Sequence, residues 1–243
     1  MQAFSLKDKT IFITGASSGI GKQTAISASL HGALVIITGR NEQRLKETFD
    51  LLHGQGHQMI VADLTDESEL DKMISELPLI NGLVHSAGIT NHTPVHFIKQ
   101  KHIDQMFTIN YQVPVLLSGK LIKKKKMAAQ GSIVFLSSIA TKYPYFGGAM
   151  YGSSKSAIEA YSRVLALELA PKAIRSNCLS PSFVKGPMVE QAGATISKEV
   201  LDNFEKVMPL GFGEPADVAN TIIFFLSEAS KWITGTNLIL GGG

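Results

Sequence analysis

The chain has 243 residues, 44% of them hydrophobic, a formal net charge of +3 and a single cysteine. That length and apolar content suit one globular domain with a sizeable core, and so small a charge excludes the strongly basic surface of a nucleic-acid binder. One cysteine rules out an internal disulfide and fits a reducing cytoplasm. No apolar run is long enough for a signal peptide or a membrane span, so a cytoplasmic protein without a membrane partner is expected.

In chain order, short apolar runs rich in β-branched residues stand at 10–14 (TIFIT), 34–38 (LVIIT), 59–62 (MIVA), 82–86 (GLVHS), 132–137 (SIVFLS), 174–180 (IRSNCLS) and 237–240 (NLIL). Helix-like segments at 19–31, 41–53, 66–76, 99–126, 150–170 and 215–228 separate them. Runs without polar alternation, joined by helices, predict strands buried on both faces of a parallel sheet. The expected fold class is α/β: a single doubly wound Rossmann-type domain over residues 1–243, a parallel sheet of about seven strands flanked by helices. Lys123–Lys126 close the 99–126 helix, where cations complement the dipole and stay solvated. With no aromatic residues among them they do not read as a phosphate patch.

In such a sheet, ligands bind beyond the carboxyl ends of the strands, which singles out the loops after residues 14, 38, 62, 86, 137 and 180. The first loop, TGASSGIGKQTA, carries Gly15, Gly19 and Gly21. Glycines there let the backbone turn tightly and bring its N–H groups to a pyrophosphate at a helix N-terminus. The spacing G-x-x-x-G-x-G differs from the G-x-G-x-x-G fingerprint, and Gln23 after Lys22 excludes a nucleotide-triphosphatase loop. The second strand ends in Gly39-Arg40 with no acid. An arginine in this place suits the 2′-phosphate of NADP(H) rather than the ribose hydroxyls of NAD(H). After the third strand, Asp63 could accept from an adenine amino group while Leu64 packs on the ring, or it could cap the helix that begins near residue 66. Ser137 and Ser138 follow the fifth strand and point to opposite faces; counting along the strand does not choose between them.

The segment 150–170 opens with Tyr151 and Lys155 among small residues. Four residues apart, they share one helix face. A cation beside a phenol lowers its pKa from about 10, so that it can trade a proton nearer neutral pH. His92, His96 and His102 have no carboxylate or cysteine at ligand spacing, so no metal site is expected.

Together, TGASSGIG at 14–21, Asp63, Asn110 within TIN, SSIA at 137–140, YGSSK at 151–155 and the segment from Asn177 to Pro181 resemble the short-chain dehydrogenase/reductase family over nearly the whole chain, with the look of its 3-oxoacyl-carrier-protein reductase-like members. The resemblance implies an NADP(H)-dependent enzyme that interconverts a small-molecule carbonyl and a secondary alcohol by hydride transfer. It makes Tyr151 the general acid or base and selects Ser138, by its interval from the tyrosine, as the donor to the substrate oxygen. Lys155 would hold the nicotinamide ribose and lower the tyrosine pKa, and Asn110 would hold a water in a proton relay. Cofactor contacts are implied for Gly15, Ser17, Ser18, Gly19, Ile20 and Gly21, for Arg40, Asp63 and Leu64, for Ala87 and Gly88, for Tyr151 and Lys155, and for Pro181 and Val184. A homo-oligomer, a tetramer, is implied through the helices near 99–126 and 150–170 and the C-terminal strand, with Ile158, Leu165 and Leu169 at the helix interface. A substrate lid is expected over 187–208.

Two departures stand out. The family commonly has Asn-Asn-Ala-Gly where this chain has His85-Ser86-Ala87-Gly88, and His85 is expected to take over the structural role of an asparagine. It often has Pro-Gly-x-x-x-Thr where this chain runs from Pro181 to Gly186, which leaves cofactor orientation to backbone groups such as those of Val184. The rival readings are a non-catalytic NADP-binding sensor or scaffold, and a nucleotide-sugar epimerase or dehydratase. Intact Ser138, Tyr151 and Lys155 weigh against the first. The longer C-terminal domain usual in the second weighs against it.

Overall fold

The computed structural model describes residues 2–189, 205–206 and 208–241. Strands β1 (Thr10–Thr14), β2 (Leu34–Gly39), β3 (Gln58–Val61), β4 (Ile80–His85), β5 (Met127–Leu136), β6 (Arg175–Pro181) and β7 (Asn237–Leu240) form one sheet in the order β3-β2-β1-β4-β5-β6-β7. Every pairing is parallel. The order reverses between β1 and β4, a topological switch point that opens a crevice beyond their carboxyl ends.

Helices α1 (Gly19–Leu30), α2 (Glu42–Phe49) and α7 (Pro215–Leu226) cover one face of the sheet; α3 (Glu67–Glu76), α5 (Val113–Lys123) and α6 (Ala149–Leu169) cover the other. Alternate strand residues feed the two cores. Phe12, Ile36, Leu83, Ile133 and Phe135 pack under α3, α5 and α6, while Ile13, Ile37, Val84, Val134 and Leu179 pack under α1 and α7. Both faces are dry, which is why the strands read as unbroken apolar runs. No helix among the described residues is long and apolar enough to cross a membrane.

The segment expected to form one helix over 99–126 is broken. Helix α4 (Gln100–Phe107) passes into a π-helical turn at Thr108–Gln112 before α5 begins. Pro114 supplies the cause. It has no N–H for the carbonyl of Asn110, four residues earlier, and its ring would press on that carbonyl in a regular α-helix. A widened turn absorbs the conflict. Beyond α5, the lysine run is tied to neighbouring elements. Lys124 reaches Asp71, and Lys126 donates to the Leu77 carbonyl just past the end of α3.

Ile158, Leu165 and Leu169, expected at a subunit interface, are buried in the core beneath α6 instead. The large apolar residues that this helix exposes are Val164 and Leu167. Most of the lid expected over 187–208 lies outside the described residues.

His85, at the end of β4, is a core residue. Its ring stacks on Phe135 at 4.6 Å, and its Nε2 is 2.8 Å from the Ser118 hydroxyl on α5. Burial pushes the imidazole down to about 3, so it is neutral in the fold. The unfolded chain takes up the proton near pH ~6.5. Between those values the unfolded state binds more protons, so the stability contributed by His85 is complete above pH ~6.5 and drains as pH falls toward the folded value. Urea denaturation at about pH 7 and pH 4.5 should therefore show wild type losing about 2–3 kcal/mol more than His85→Gln on acidification. An equal loss in both proteins would contradict a buried neutral imidazole.

Candidate active site

A cavity of about 380 Å³ opens at the switch point, beyond the carboxyl ends of the strands. At one side lies the turn between β1 and α1. Gly15 has φ +66, and a Cβ there would stand 2.6 Å from the Ala87 backbone. Gly21 lies beneath the turn, where a Cβ would meet the Gly15 carbonyl oxygen at 2.4 Å. Gly19 differs: a Cβ there would meet nothing within 4 Å. Ser17, Ser18, Gly19 and Ile20 line the cavity with Gly15. Gly15 and Gly21 thus let strand, loop and helix close up, while Gly19 leaves room for an anion at the N-terminus of α1.

Thr14 secures the opposite loop. Its Oγ1 accepts from the N–H groups of Ser86 and Ala87 at 3.2 and 3.3 Å, which holds the turn at Ala87 and Gly88 without an asparagine in the motif. Asn110 secures it from behind. Its Oδ1 accepts from the Ile89 N–H at 2.9 Å, and its Nδ2 donates to the Ile89 carbonyl at 2.9 Å and to Ser154 Oγ at 3.1 Å. Ala87, Gly88 and Ile89 line the cavity. The Asn110 side chain thus clamps this loop to α6.

At the far end, Asp66 caps α3 by accepting from the Ser68 and Glu69 N–H groups. Asp63 is thereby left at the cavity with Leu64 and Arg40. The Asp63 carboxyl accepts from the N–H and hydroxyl of Thr65 at 2.9 and 2.7 Å. The backbone bond from Thr65 holds it below the usual carboxylate range. The Arg40 guanidinium lies 3.9 Å from it, loosely paired and largely exposed.

The reacting end is built by β5 and α6. Ser137 turns inward and donates to Glu159 at 2.7 Å. Ser138 caps a short turn at Ile139–Thr141, accepting from the Ala140 N–H at 3.2 Å, and its hydroxyl faces the Tyr151 phenol across the cavity wall. The structure thus separates the two serines that strand counting left equivalent. The Lys155 ammonium lies 5.7 Å from the Tyr151 ring centre and donates to the Leu136 carbonyl at 2.8 Å. Burial pushes the phenol up to about 12, against the pull of the Ser138 hydroxyl. Burial also pushes the ammonium down to about 8. Lys155, turned to the Leu136 carbonyl, does not reverse this rise, because desolvation disfavours the phenolate.

After β6 the chain passes Pro181 to Val184. Lys185 N–H donates to the Gly213 carbonyl at 2.8 Å, and Gly213 N–H donates to the Phe183 carbonyl at 3.0 Å. This is a parallel bridge centred on Val184. In that pattern the bridging residue turns its own N–H and C=O to the other side, and Val184 lines the cavity. Sequence reasoning missed Thr65, Ile89, Ile109 and Ser182, which also line it. Only Thr65 carried a signal, as the partner of an aspartate two residues earlier.

The chain belongs to the short-chain dehydrogenase/reductase family. A sequence profile described as enoyl-(acyl carrier protein) reductase matches residues 15–243. The 3-oxoacyl-[acyl-carrier-protein] reductase of Rickettsia felis is 33% identical over 98% of this chain and 97% of its own length. L-xylulose reductase of Caenorhabditis elegans is 35% identical over 99% and 97%. A candidate NAD(P)-dependent gluconate 5-dehydrogenase from Beutenbergia cavernae, crystallised with NADP at low occupancy, superposes with a TM-score of 0.88 at 28% identity, covering 99% of this chain and 98% of that one. The chain is an oxidoreductase of this family.

The glycines separate by experiment. Gly21→Ala should lower the unfolding free energy by about 1–3 kcal/mol through its backbone clash. Gly19→Ala should cost only about 1 kcal/mol, from its positive φ, yet weaken dinucleotide binding followed by nicotinamide fluorescence. Unaltered binding in Gly19→Ala would remove Gly19 from the cradle.

Proposed function

We propose that this protein is an NADP(H)-dependent oxidoreductase that interconverts a carbonyl compound and a secondary alcohol. The observation that carries the reading is the convergence of the Ser138 hydroxyl, the Tyr151 phenol and the Lys155 ammonium on a cavity whose other end is a glycine turn at a helix N-terminus. When bound, the reduced nicotinamide supplies hydride to the carbonyl carbon.

The cavity suits a dinucleotide along its length. Gly15, Ser17, Ser18, Gly19 and Ile20 would receive the pyrophosphate, with Gly21 supporting the turn from beneath. Asp63 and Leu64 would receive the adenine. Arg40 would take the 2′-phosphate: it is exposed, its ion-pair contact among the described residues is a loose 3.9 Å to Asp63, and its guanidinium can fork onto an anion. Ala87, Gly88, Pro181 and the outward N–H and C=O of Val184 would hold the nicotinamide half, with Lys155 at its ribose.

Negative charge grows on the substrate oxygen as the carbonyl is reduced. Ser138 donates a hydrogen bond to that oxygen, and Tyr151 delivers its proton. A phenol pushed up to about 12 is fully protonated at neutral pH, which suits the reductive direction. Lys155 stabilises the phenolate left behind, and in a buried site its charge acts strongly. A homo-oligomer, a tetramer, is proposed on the exposed apolar residues Leu116 of α5, Val164 and Leu167 of α6, and Leu238 and Ile239 of β7.

The test is loss of nicotinamide absorbance when NADPH is mixed with a panel of ketones, aldehydes and sugars. Tyr151→Phe should lower kcat by about 10²–10⁴-fold while still binding NADPH. Ser138→Ala should lower it by about 10²–10³-fold. Arg40→Leu should raise the KM for NADPH by about tenfold or more and leave that for NADH unchanged. Binding without turnover in every form would mark a cofactor sensor instead.

A further inference from the structure

Glu159 lies one helical turn beyond Lys155 on α6, and the chemistry above does not use it. It is buried, 7% exposed. Among the described residues, no Lys, Arg or His nitrogen lies within 4.0 Å of its carboxyl group. Burying a carboxyl without a cation is costly unless hydrogen bonds satisfy it. Its Oε1 accepts from the Ser137 hydroxyl at 2.7 Å and from the Ser180 hydroxyl at 3.3 Å. Ser137 Oγ also lies 3.4 Å from the Lys155 carbonyl, and Ser180 Oγ lies 2.9 Å from the Asn237 carboxamide of β7. Each of these serines immediately precedes a residue of the site: Ser137 precedes Ser138, and Ser180 precedes Pro181. One carboxyl oxygen therefore joins the ends of β5 and β6 to the helix that carries Tyr151 and Lys155.

We propose that Glu159 is a positioning residue: it braces the ends of β5 and β6 against α6 and so sets the reach from the Ser138 hydroxyl to the Tyr151 phenol. The kinetic consequence rests on the oxidoreductase reading above. Loosening the brace lets Ser138 withdraw, and the phenol loses the neighbouring hydroxyl that favours its ionised form. Alcohol oxidation, which needs the phenolate, would then require a higher pH.

The groups facing these side chains allow a sign test. Tyr151 is faced by Ser138 from the end of β5, by Tyr145 from the preceding loop and by Lys155 from its own helix. Glu159 shares its surroundings with Cys178 of β6 and with Lys155 and Arg163 of α6. If Glu159 acted as a negative charge rather than as a brace, removing it would favour the phenolate and move the profile to lower pH. The two roles therefore predict opposite shifts.

Wild type, Glu159→Leu and Glu159→Gln would be compared in two arms. In the first, kcat for NADP-linked alcohol oxidation is followed across pH. Glu159→Leu should lower kcat by about tenfold or more, because small misplacements at a reacting centre are costly. It should also shift the profile upward and leave the KM for NADP near the wild-type value. Glu159→Gln keeps an acceptor oxygen and should restore both. The second arm needs no turnover. Backbone hydrogen exchange in segments 136–141 and 180–185 should accelerate in Glu159→Leu and return to wild type in Glu159→Gln, while exchange in β1 and β2 stays constant in all three and reports an intact fold.

Unchanged exchange in Glu159→Leu would overturn the proposal. So would a downward shift in both variants, or equal losses in both. If wild type turns over no alcohol or carbonyl, the redox reading fails, and the exchange arm alone decides the brace.

Discussion

The hydrogen bond from the Lys155 ammonium to the Leu136 carbonyl, 2.8 Å long, fixes α6 against the end of β5, and the site depends on it. The ammonium is buried and, among the described residues, has no acid within ion-pair distance. A buried cation held by a carbonyl and a phenol ring is expensive to keep charged, and burial pulls it down to about 8. That same lack of an acid partner leaves its field uncancelled. In a buried site such a field acts most strongly on an oxygen that is gaining negative charge. The protein thus keeps a destabilised cation where a reacting oxygen would benefit from it.

The parallel sheet then has to bring the remaining groups to that point. Every strand delivers its carboxyl end to the same edge, so the loops gather without long excursions. They are held there chiefly through backbone groups. Thr14 takes the N–H groups of Ser86 and Ala87, Asn110 takes both polar groups of Ile89, and Gly213 takes the segment around Val184. Anchors of this kind tolerate changes in the side chains between them. This explains how His85 and Ser86 can replace a pair of asparagines: the first joins the core on Phe135 and Ser118, and the second is held through its N–H by Thr14.

The strands were legible because both faces of the sheet are buried, and an unbroken apolar run admits few other readings. The glycine turn was legible because its spacing and its place after β1 agree. The break at Thr108–Gln112 was hidden, since the apolar period continues through it and only Pro114 signals the conflict. The choice between Ser137 and Ser138 needed a partner outside the strand, and Glu159 on α6 supplies it. The packing face of α6 was misread because the helix is apolar on more than one side, so composition cannot tell Leu165, which is buried, from Leu167, which is exposed. The direction of the tyrosine shift was beyond a one-dimensional reading. Spacing reports that a cation is near, whereas desolvation depends on everything packed around both groups.

The two changes after β6 are coupled. Gly186 has φ +140, a conformation a β-branched threonine would strongly resist. The backbone takes that shape directly after the bridge in which Gly213 accepts from the Lys185 N–H and donates to the Phe183 carbonyl, on either side of Val184. Restoring a threonine at 186 would therefore disturb the bridge that turns the Val184 peptide groups toward the cavity. Ser182, whose N–H donates to the Leu240 carbonyl of β7 at 2.7 Å, holds the other end of the same stretch. Loss of the side-chain hydroxyl and rigid presentation of the backbone are thus one arrangement, in which main-chain groups tethered at both ends stand where a threonine would otherwise reach.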